Sequence, residues 1–285
     1  MFGGVRLVKT IVPVVRSPAG SSVCYLSSLA SQEPKATLVT IPASNYAEKA
    51  RWALRLAEIP FFEEKWAPLF AYLSTMPKGG RSVPLLVLPR IPKVILTDSA
   101  DIVGFCAENH PELYPNEKAK DQEKFFDTKL GPHARRCVYY NLFQDDQMSK
   151  RIMADPIDGL VQRSMLRLLF PALRLVLLRS LNINEKSAER SWRVEGVEKE
   201  LGDGPVGTRF LAGDSFSAAD IAFCSHLAPF VQPPEHEFVT PYISTDSVQD
   251  RSSANDTNRS DAPKSVSTCS GATRTSVQST KRGHL

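Results

Sequence analysis

The sequence predicts an α/β domain followed by an all-helical domain. Between residues 36 and 109, short β-rich runs alternate with helical patterns, whereas residues 117–232 show helical periodicity almost throughout. The chain has 285 residues, of which 42% are hydrophobic. It is therefore long enough, and apolar enough, to build a real core for both domains.

The front domain opens with a predicted strand, helix and strand. Ala36–Ile41 is a short apolar run that ends at Pro42. Ser44–Glu58 has a helical pattern, in which one face is shared by Ala47, Ala50, Leu54 and Ala57. Ile59–Pro60 stops this helix, and Phe61–Trp66 is the next strand candidate. The order is that of a strand–helix–strand unit.

A predicted hairpin and a helix complete the front domain. Val83–Leu88 and Val94–Thr97 flank a turn that contains Pro89 and Pro92. Asp98–Glu108 follows as a helix. These elements close a unit of a size that can fold independently.

The rear domain is predicted to consist of long amphipathic helices. One segment, Leu160–Leu181, is apolar enough to suggest a membrane span, but four arginines interrupt it and each would be costly at the centre of a bilayer. We therefore expect a long buried helix with one basic face and no transmembrane span. The predicted helices are Asp121–Gln144, Ile157–Leu181, Glu185–Leu201 and Ser217–Phe230.

Both ends of the chain differ in composition from the centre. Residues 1–35 are predicted to be a disordered extension or an organelle transit peptide, because the first 32 residues contain three cations, many serines and no acid. Residues 240–285 are rich in Ser, Thr, Asn and Asp and are predicted to be a disordered tail. We expect an intracellular protein of the cytoplasm, or of a mitochondrion or plastid if residues 1–32 are a transit peptide.

Charge and histidine spacing exclude two classes of function. The formal net charge is +4, but the excess of cations over acids lies at the two ends and residues 36–240 sum to −1, so no nucleic-acid partner is expected. The five histidines are scattered, with neither an H-E-x-x-H motif nor the Cys/His spacing of a zinc site. We therefore expect no metal.

The most informative motif lies where the first strand meets the first helix. Ser44 stands at the start of that helix, within the sequence Pro42-Ala-Ser-Asn-Tyr-Ala-Glu-Lys-Ala-Arg-Trp-Ala-Leu54. The unpaired N–H groups and the helix dipole at such a position favour an anion. The alternative interpretation is purely structural: Ser44 or Asn45 caps the helix, with Asn45 and Glu48 as a capping-box-like pair.

This stretch resembles the start of glutathione transferases, whose front domain is thioredoxin-like. Members open with a strand, a catalytic Ser, Tyr or Cys, and a helix similar to Lys49–Leu54. The resemblance implies that Ser44 is the catalytic hydroxyl. Ser44 and Ala47 stand where glutaredoxin-like relatives carry the two cysteines of C-x-x-C, which argues against thiol–disulfide exchange.

A second motif, Arg81-Ser-Val83-Pro84-Leu, begins the predicted hairpin. A proline at the start of a strand, preceded by a β-branched residue, suits a cis bond in a tight turn. In the family this bond is cis, and the residue before the proline pairs its backbone with the cysteinyl part of glutathione. The resemblance therefore assigns Val83 and Pro84 to glutathione binding. The alternative is a trans proline at an edge strand.

A third motif places an acid and a hydroxyl together at a helix start. Asp98 could take a cationic amine, and Ser99 with its backbone N–H could take a carboxylate. The pair is similar to the one that holds the γ-glutamyl end of glutathione in the family. A helix cap is the structural alternative, and it is compatible with binding.

The rear half carries a fourth motif, which is structural. Ser217 and Asp220 form an S-x-x-D capping box before an apolar helix, within a segment similar to the most recognisable signature of the family's helical domain. Family members continue past this helix with further helices over the active site. Here Pro233-Pro234 leads into the polar tail, so an atypical or truncated end is expected.

Together these motifs imply a transferase that conjugates reduced glutathione, its co-substrate, to small electrophiles. Ser44 would stabilise the thiolate, and family resemblance implies a homodimer formed between the front domain of one subunit and the rear domain of the other. The alternative is a non-catalytic module that uses the fold for binding or protein contacts. Glutathione-dependent reduction is disfavoured by the absence of cysteine at Ser44 and Ala47.

Overall fold

The computed structural model describes residues 35–68, 70–90, 92–192, 210–234, 236–238 and 241. The predicted transit peptide or extension lies outside these residues except for Lys35. The predicted tail lies outside them except for Pro241, and so does the part of the predicted helix Glu185–Leu201 beyond residue 192.

A four-stranded mixed sheet forms the centre of the front half. Its order is β2-β1-β3-β4; β1 pairs with β2 in parallel, whereas β3 is antiparallel to β1 and to β4. The predicted strand–helix–strand unit and the hairpin are both present. The strands are β1 (Ala36–Thr40), β2 (Phe61–Lys65), β3 (Leu85–Leu88) and β4 (Val94–Leu96).

Three helices belong to this sheet: α1 (Asn45–Leu56), α2 (Ala71–Thr75) and α3 (Ser99–Ala107). Helices α1 and α3 share one hydrophobic cluster with the strands, in which Leu38, Leu54 and Ile102 are fully buried. The sequence did not predict α2, because a helix of one turn has too few residues to show a periodicity. This arrangement is the thioredoxin-like fold predicted for the front half.

Six α-helices follow among the described residues of the rear half. The predicted helix Asp121–Gln144 is divided by a π-helical turn, Phe126–Leu130. Pro132 explains the division, since a proline cannot donate to the carbonyl four residues earlier. The helices are α4 (Glu117–Phe125), α5 (Gly131–Leu142), α6 (Asp146–Ala154), α7 (Leu160–Ser180), α8 (Glu185–Trp192) and α9 (Ala218–Val231).

Helix α9 joins the two halves. Ser217 and Asp220 form the predicted capping box, in which the Ser217 N–H donates to Oδ2 of Asp220 at 3.0 Å. Ala218 and Ile221, in the first turn of α9, are fully buried within the same hydrophobic cluster as α1 and α3. The cap therefore fixes the start of the helix that the front half packs against.

Helix α7 is buried on one side only, so the expectation of a long buried helix is wrong. Leu166, Phe170, Leu173 and Leu177 face the core. A broad apolar strip on the remaining surface is exposed, because the described neighbours of α7 cover only the first face. Its residues are Leu160, Val161, Met165, Leu168, Leu169, Leu175 and Val176. Within the described part of the chain, no helix has the length and apolarity that a membrane crossing requires.

The chain turns back onto the front half after α9. Phe238 is buried and its ring lies 4.2 Å from Cζ of Arg51, while Glu237 forms an ion pair with Arg55 at 2.8 Å. His236 is buried beside them. Residues 236–238 therefore still pack against α1 beyond Pro233-Pro234, before the predicted tail that begins at residue 240.

Candidate functional site

The topology brings all three predicted front-half motifs to one edge of the sheet. β4 runs parallel to β1, because each is antiparallel to β3. The carboxyl ends of β1 and β4 and the amino end of β3 therefore lie at the same edge. Ser44 follows β1, Val83 precedes β3, and Asp98 follows β4.

Ser44 is the N-cap of α1. Its Oγ accepts from the backbone N–H of Ala47 at 3.4 Å, and its own N–H donates to the Ile41 carbonyl at 2.9 Å. The structural interpretation of Ser44 as a cap is therefore confirmed, whereas the suggested pair of Asn45 with Glu48 does not form. A capping hydroxyl uses a lone pair and keeps its own hydrogen. Ser44 is only partly buried, so that hydrogen is available to a ligand.

Tyr46, a second hydroxyl in the first turn of α1, is already engaged. Its Oη donates to the backbone carbonyl of Asp127 at 2.8 Å. Burial raises the pKa of Tyr46 to about 12; Arg135 opposes this increase, and the nearby charges of Asp127 and Asp98 add to it. Tyr46 therefore stays neutral and bonded to protein.

A cleft lies between α2 and the turn that precedes β3. The Val83–Pro84 peptide bond is cis, as the resemblance implied, and Val83 forms part of the cleft wall. One hydroxyl in this wall is unusual: Thr75 Oγ1 is buried and has no hydrogen-bond partner among the described residues. The lining residues are Ile41, Ala71, Tyr72, Thr75, Arg81, Ser82 and Val83.

Asp98 and Ser99 differ in exposure. Asp98 is exposed and caps α3, because its Oδ1 accepts from the Ala100 N–H at 2.8 Å. Ser99 is buried, and its Oγ has no hydrogen-bond partner in the described part of the chain. Buried hydroxyls nearly always have a hydrogen-bond partner, so the unpartnered Ser99 hydroxyl at the start of α3 requires an explanation. A bound anion would provide one.

Asn45 links the start of α1 to the rear half. Its Nδ2 lies 2.9 Å from Nδ1 of His226 on α9 and 3.4 Å from the carbonyl of Gly131. Nε2 of His226 lies 3.0 Å from Oδ1 of Asp127, whose Oδ2 contacts Nζ of Lys49. Burial lowers the pKa of His226 despite the opposing influence of Asp127. The imidazole is therefore neutral.

Several of these residues could not be found from the sequence. Thr75 lies on α2, an element with no periodic signal, and His226 is separated from Asn45 by 181 positions. Arg81 had a signal, since it stands two residues before the Val83–Pro84 motif. Within the described ranges, no three His, Cys, Asp or Glu side chains are grouped as metal ligands.

The fold and this arrangement define a class of protein: a thioredoxin-like domain, with a hydroxyl at its first helix start, joined to an all-helical half. The family model for the glutathione S-transferase N-terminal domain matches residues 38–115. Residues 38–115 are therefore similar to this N-terminal domain. Comparison with the curated proteins gives no match.

Two of the solved structures that match this chain are glutathione transferases of a fungus and of poplar. A glutathione S-transferase of Ceriporiopsis subvermispora, crystallised with glutathione, is 13% identical with a TM-score of 0.52, and the alignment covers 88% of this chain and 98% of that one. Poplar glutathione transferase F1 is 17% identical with a TM-score of 0.47, covering 88% and 100%. The first likeness supports the fold alone.

Proposed function

We propose that this protein binds glutathione in the cleft beside Val83 and conjugates it to small electrophiles. The observation that carries the proposal is the convergence at one sheet edge of the partly exposed Ser44 hydroxyl, the Val83–Pro84 turn and the orphan hydroxyl of Ser99. Each feature alone has a structural explanation. Their common position suits a tripeptide that needs a thiolate site, a backbone partner and a carboxylate site.

Each part of glutathione has a matching group. The cysteinyl backbone would pair with the backbone of Val83, as an added strand does. The γ-glutamyl ammonium would face the exposed carboxylate of Asp98, and its carboxylate would accept from Ser99. Arg81, exposed at the other side of the cleft, would take the glycyl carboxylate.

Ser44 acts on the ionisation of the thiol. A thiol with the ordinary pKa of about 8.5 is only a few per cent ionised at neutral pH. Lowering that pKa by about two units requires about 2.7 kcal/mol. A hydrogen bond from a hydroxyl to a charged group contributes about 1.5–3 kcal/mol, and the α1 N-terminus adds to it.

The reaction needs no oxidant or reductant. The thiol proton passes to solvent when the thiolate forms in the site. The sulfur electron pair then forms a bond to the electrophilic carbon, and in a substitution the leaving group departs with the electrons of its own bond to that carbon. Ser44 donates to the sulfur anion throughout and forms no covalent bond.

Two measurements on the full chain test this proposal. Calorimetry with reduced glutathione should give binding in the millimolar range or tighter, and a chlorodinitrobenzene assay should detect the conjugate. The matched control is S-methyl glutathione, which keeps the groups that would contact Val83, Asp98, Ser99 and Arg81 but cannot form a thiolate, and which should inhibit competitively. Absence of any glutathione binding would exclude a transferase.

A non-catalytic binding or interaction module is the second candidate. The exposed apolar strip on α7 favours it, because soluble monomers rarely leave an apolar surface of this extent uncovered. The two candidates are distinguished by whether the protein conjugates glutathione. The association of the protein with other chains does not distinguish them. A protein that binds glutathione yet forms no conjugate with chlorodinitrobenzene or other electrophiles would belong to the second class.

We also propose that two copies associate through apolar surfaces in both halves. The front half exposes Tyr72, Leu73 and Met76 around α2, and Leu73 is 68% exposed. The rear half exposes the α7 strip, in which Leu168 is 79% exposed. In a two-fold dimer the front patch of one subunit would cover the α7 strip of the other, and the same contact would occur twice.

A further inference from the structure

We propose that Asn45 and His226 are positioning residues, which hold the first turn of α1, and Ser44 with it, in the orientation that stabilises the glutathione thiolate. This inference rests on the proposed function. It concerns residues that lie at the interface between the two halves and do not line the cleft.

The direction of each hydrogen bond follows from the chemistry of the partners. The Gly131 carbonyl can only accept, so the group of Asn45 that faces it is the amide nitrogen. The same nitrogen faces Nδ1 of His226, which must therefore be the accepting nitrogen. Nε2 then carries the proton and donates to Asp127. The neutral imidazole thus has one orientation in which all three contacts are satisfied.

The contacts that run from Asn45 through His226 to Asp127 continue to buried charged residues. Nζ of Lys49, a fully buried side chain of α1, contacts Asp127 and lies 2.7 Å from Oε1 of Glu123. The hydroxyl of Tyr114 donates to the other oxygen of Glu123 at 2.6 Å. Helix α1 is therefore attached to the rear half at two levels, by Asn45 in its first turn and by Lys49 one turn later.

Close packing leaves the first turn no space to move towards the rear half. A Cβ built on Gly131 would lie 2.5 Å from Oη of Tyr46 and 2.9 Å from Cε1 of His226. The first turn of α1 and the imidazole thus meet the backbone at the start of α5. A shift of Asn45 in this direction would bring atoms into overlap.

The loop before Ser44 is held from the opposite side. Arg51 is fully buried and its Nη2 donates to the Pro42 carbonyl at 2.7 Å. Nε of Arg51 also donates to Glu63 at 2.9 Å. Ser44 therefore lies between two fixed points, Pro42 and Asn45, and its hydroxyl direction depends on both.

The test compares Asn45→Ala, Asn45→Asp and His226→Phe with the wild-type chain. Asn45→Asp keeps the shape but can only accept, so it opposes both the Gly131 carbonyl and Nδ1 of His226. The readouts are the pKa of bound glutathione thiol, measured by ultraviolet absorbance of the thiolate, and kcat and KM with chlorodinitrobenzene. If His226→Phe does not fold, Asn45→Ala and Asn45→Asp carry the test.

We expect kcat to fall about tenfold or more in each variant, with KM within about threefold, because misplacing a catalytic group by a fraction of an ångström has effects of this order. The thiol pKa should rise by about one unit. The double variant Asn45→Ala with His226→Phe should lose less than the sum of the two single losses, because both single variants remove the contact between Asn45 and His226. Ile152→Ala, a buried truncation on α6, is the control for general destabilisation and should leave the thiol pKa unchanged.

Two outcomes overturn the proposal without touching the proposed function: unchanged thiol pKa and kcat in folded Asn45 variants, or an equal rise in the Ile152→Ala control. A wild-type chain that binds no glutathione would overturn both the proposed function and this inference. Calorimetry on the wild type, performed first, separates these cases.

Discussion

The side-chain nitrogen of Asn45 lies 2.9 Å from Nδ1 of His226, although 181 positions separate the two residues in the chain. This contact joins the first turn of the first helix to the middle of α9. The helical half thus contacts Asn45, the residue that follows Ser44. Changes on either side of the interface are therefore expected to affect the site, and several can be measured.

A methyl group at Gly131 should destabilise the protein, whereas one at Gly104 should stabilise it. A Cβ on Gly131 would overlap Tyr46 and His226, whereas one on Gly104, inside α3, would meet no atom within 4 Å. We expect Gly131→Ala to lower the free energy of unfolding by about 1–3 kcal/mol. Gly104→Ala should raise it by about 0.5–1 kcal/mol. Urea denaturation measures both, and equal effects would contradict the packing described for Gly131.

Asp98→Asn should weaken glutathione binding without affecting folding. Asparagine caps a helix about as well as aspartate, so the bond from the Ala100 N–H is kept. The variant loses the negative charge that would face the γ-glutamyl ammonium, and a hydrogen bond between charged groups is worth about 1.5–3 kcal/mol. We expect the Kd from calorimetry to rise about tenfold or more, with kcat at saturation nearly unchanged.

Cysteinylglycine provides the matched ligand control for Asp98. This dipeptide lacks the γ-glutamyl group, so wild type and Asp98→Asn should bind it equally. A variant that loses affinity for glutathione and cysteinylglycine alike would refute the role of Asp98 as the ammonium partner and would indicate a general effect on the cleft.

The stability of the protein should fall as the pH decreases below about 6.5, and His226 should account for part of the decrease. Burial holds the pKa of His226 below its ordinary value; Asp127 opposes this shift, and Lys49 and Arg135 reinforce it. A depressed folded-state pKa means that the unfolded chain binds the proton first, so stability is lost on acidification. Burial lowers the pKa of His133 and His236 in the same direction.

The comparison of slopes isolates the contribution of His226. In His226→Phe, the slope of the unfolding free energy against pH should be smaller than in the wild type between about pH 5 and 6.5. The difference should reach at most about 1.4 kcal/mol per pH unit, which corresponds to one proton. Glu123, whose pKa is raised by burial, acts in the opposite direction in both proteins. Identical slopes in wild type and variant would show that His226 does not titrate on unfolding in this range.

The dimer proposal predicts that a charge on either apolar patch produces monomers. Leu168→Glu on α7 and Leu73→Glu beside α2 would each place a charge in both copies of a two-fold interface, where it would be buried without a partner. Sedimentation velocity should give a dimer for the wild type and monomers for both variants. Lys118→Glu, exposed on α4, should remain dimeric. A monomeric wild type would contradict the proposal.

The order of the elements along the chain and the local motifs of the front half could be predicted because they depend on short segments. The run Ala36–Ile41, the Val83–Pro84 pair and the Asp98 cap each contain their own signal, and the hairpin is closed by adjacent strands. Element boundaries were within a few residues of the observed ones. In contrast, α2 was missed because its single turn shows no period, although Thr75 on it lines the cleft.

Features that depend on distant contacts could not be predicted. The burial of Phe238 against Arg51 arises from tertiary packing. The four arginines of α7 suggested a single basic face, yet Arg167 pairs with Asp155 and a separate apolar strip remains exposed. The composition of a helix gives the fraction of its residues that are apolar, but it does not show which of its faces the neighbouring elements cover.

The central claim, that Ser44 stabilises the thiolate of bound glutathione, is tested most directly by the thiol pKa in the wild type and in Ser44→Ala. The ultraviolet absorbance of the thiolate, titrated at saturating glutathione, gives both values. In the wild type, we predict a thiol pKa about two units below the ordinary value of about 8.5. In Ser44→Ala the pKa should rise by at least about one unit. Ser44→Thr keeps a hydroxyl, so its thiol pKa should equal the wild-type value or lie between the values of the wild type and Ser44→Ala. The same thiol pKa in wild type and Ser44→Ala would contradict the claim.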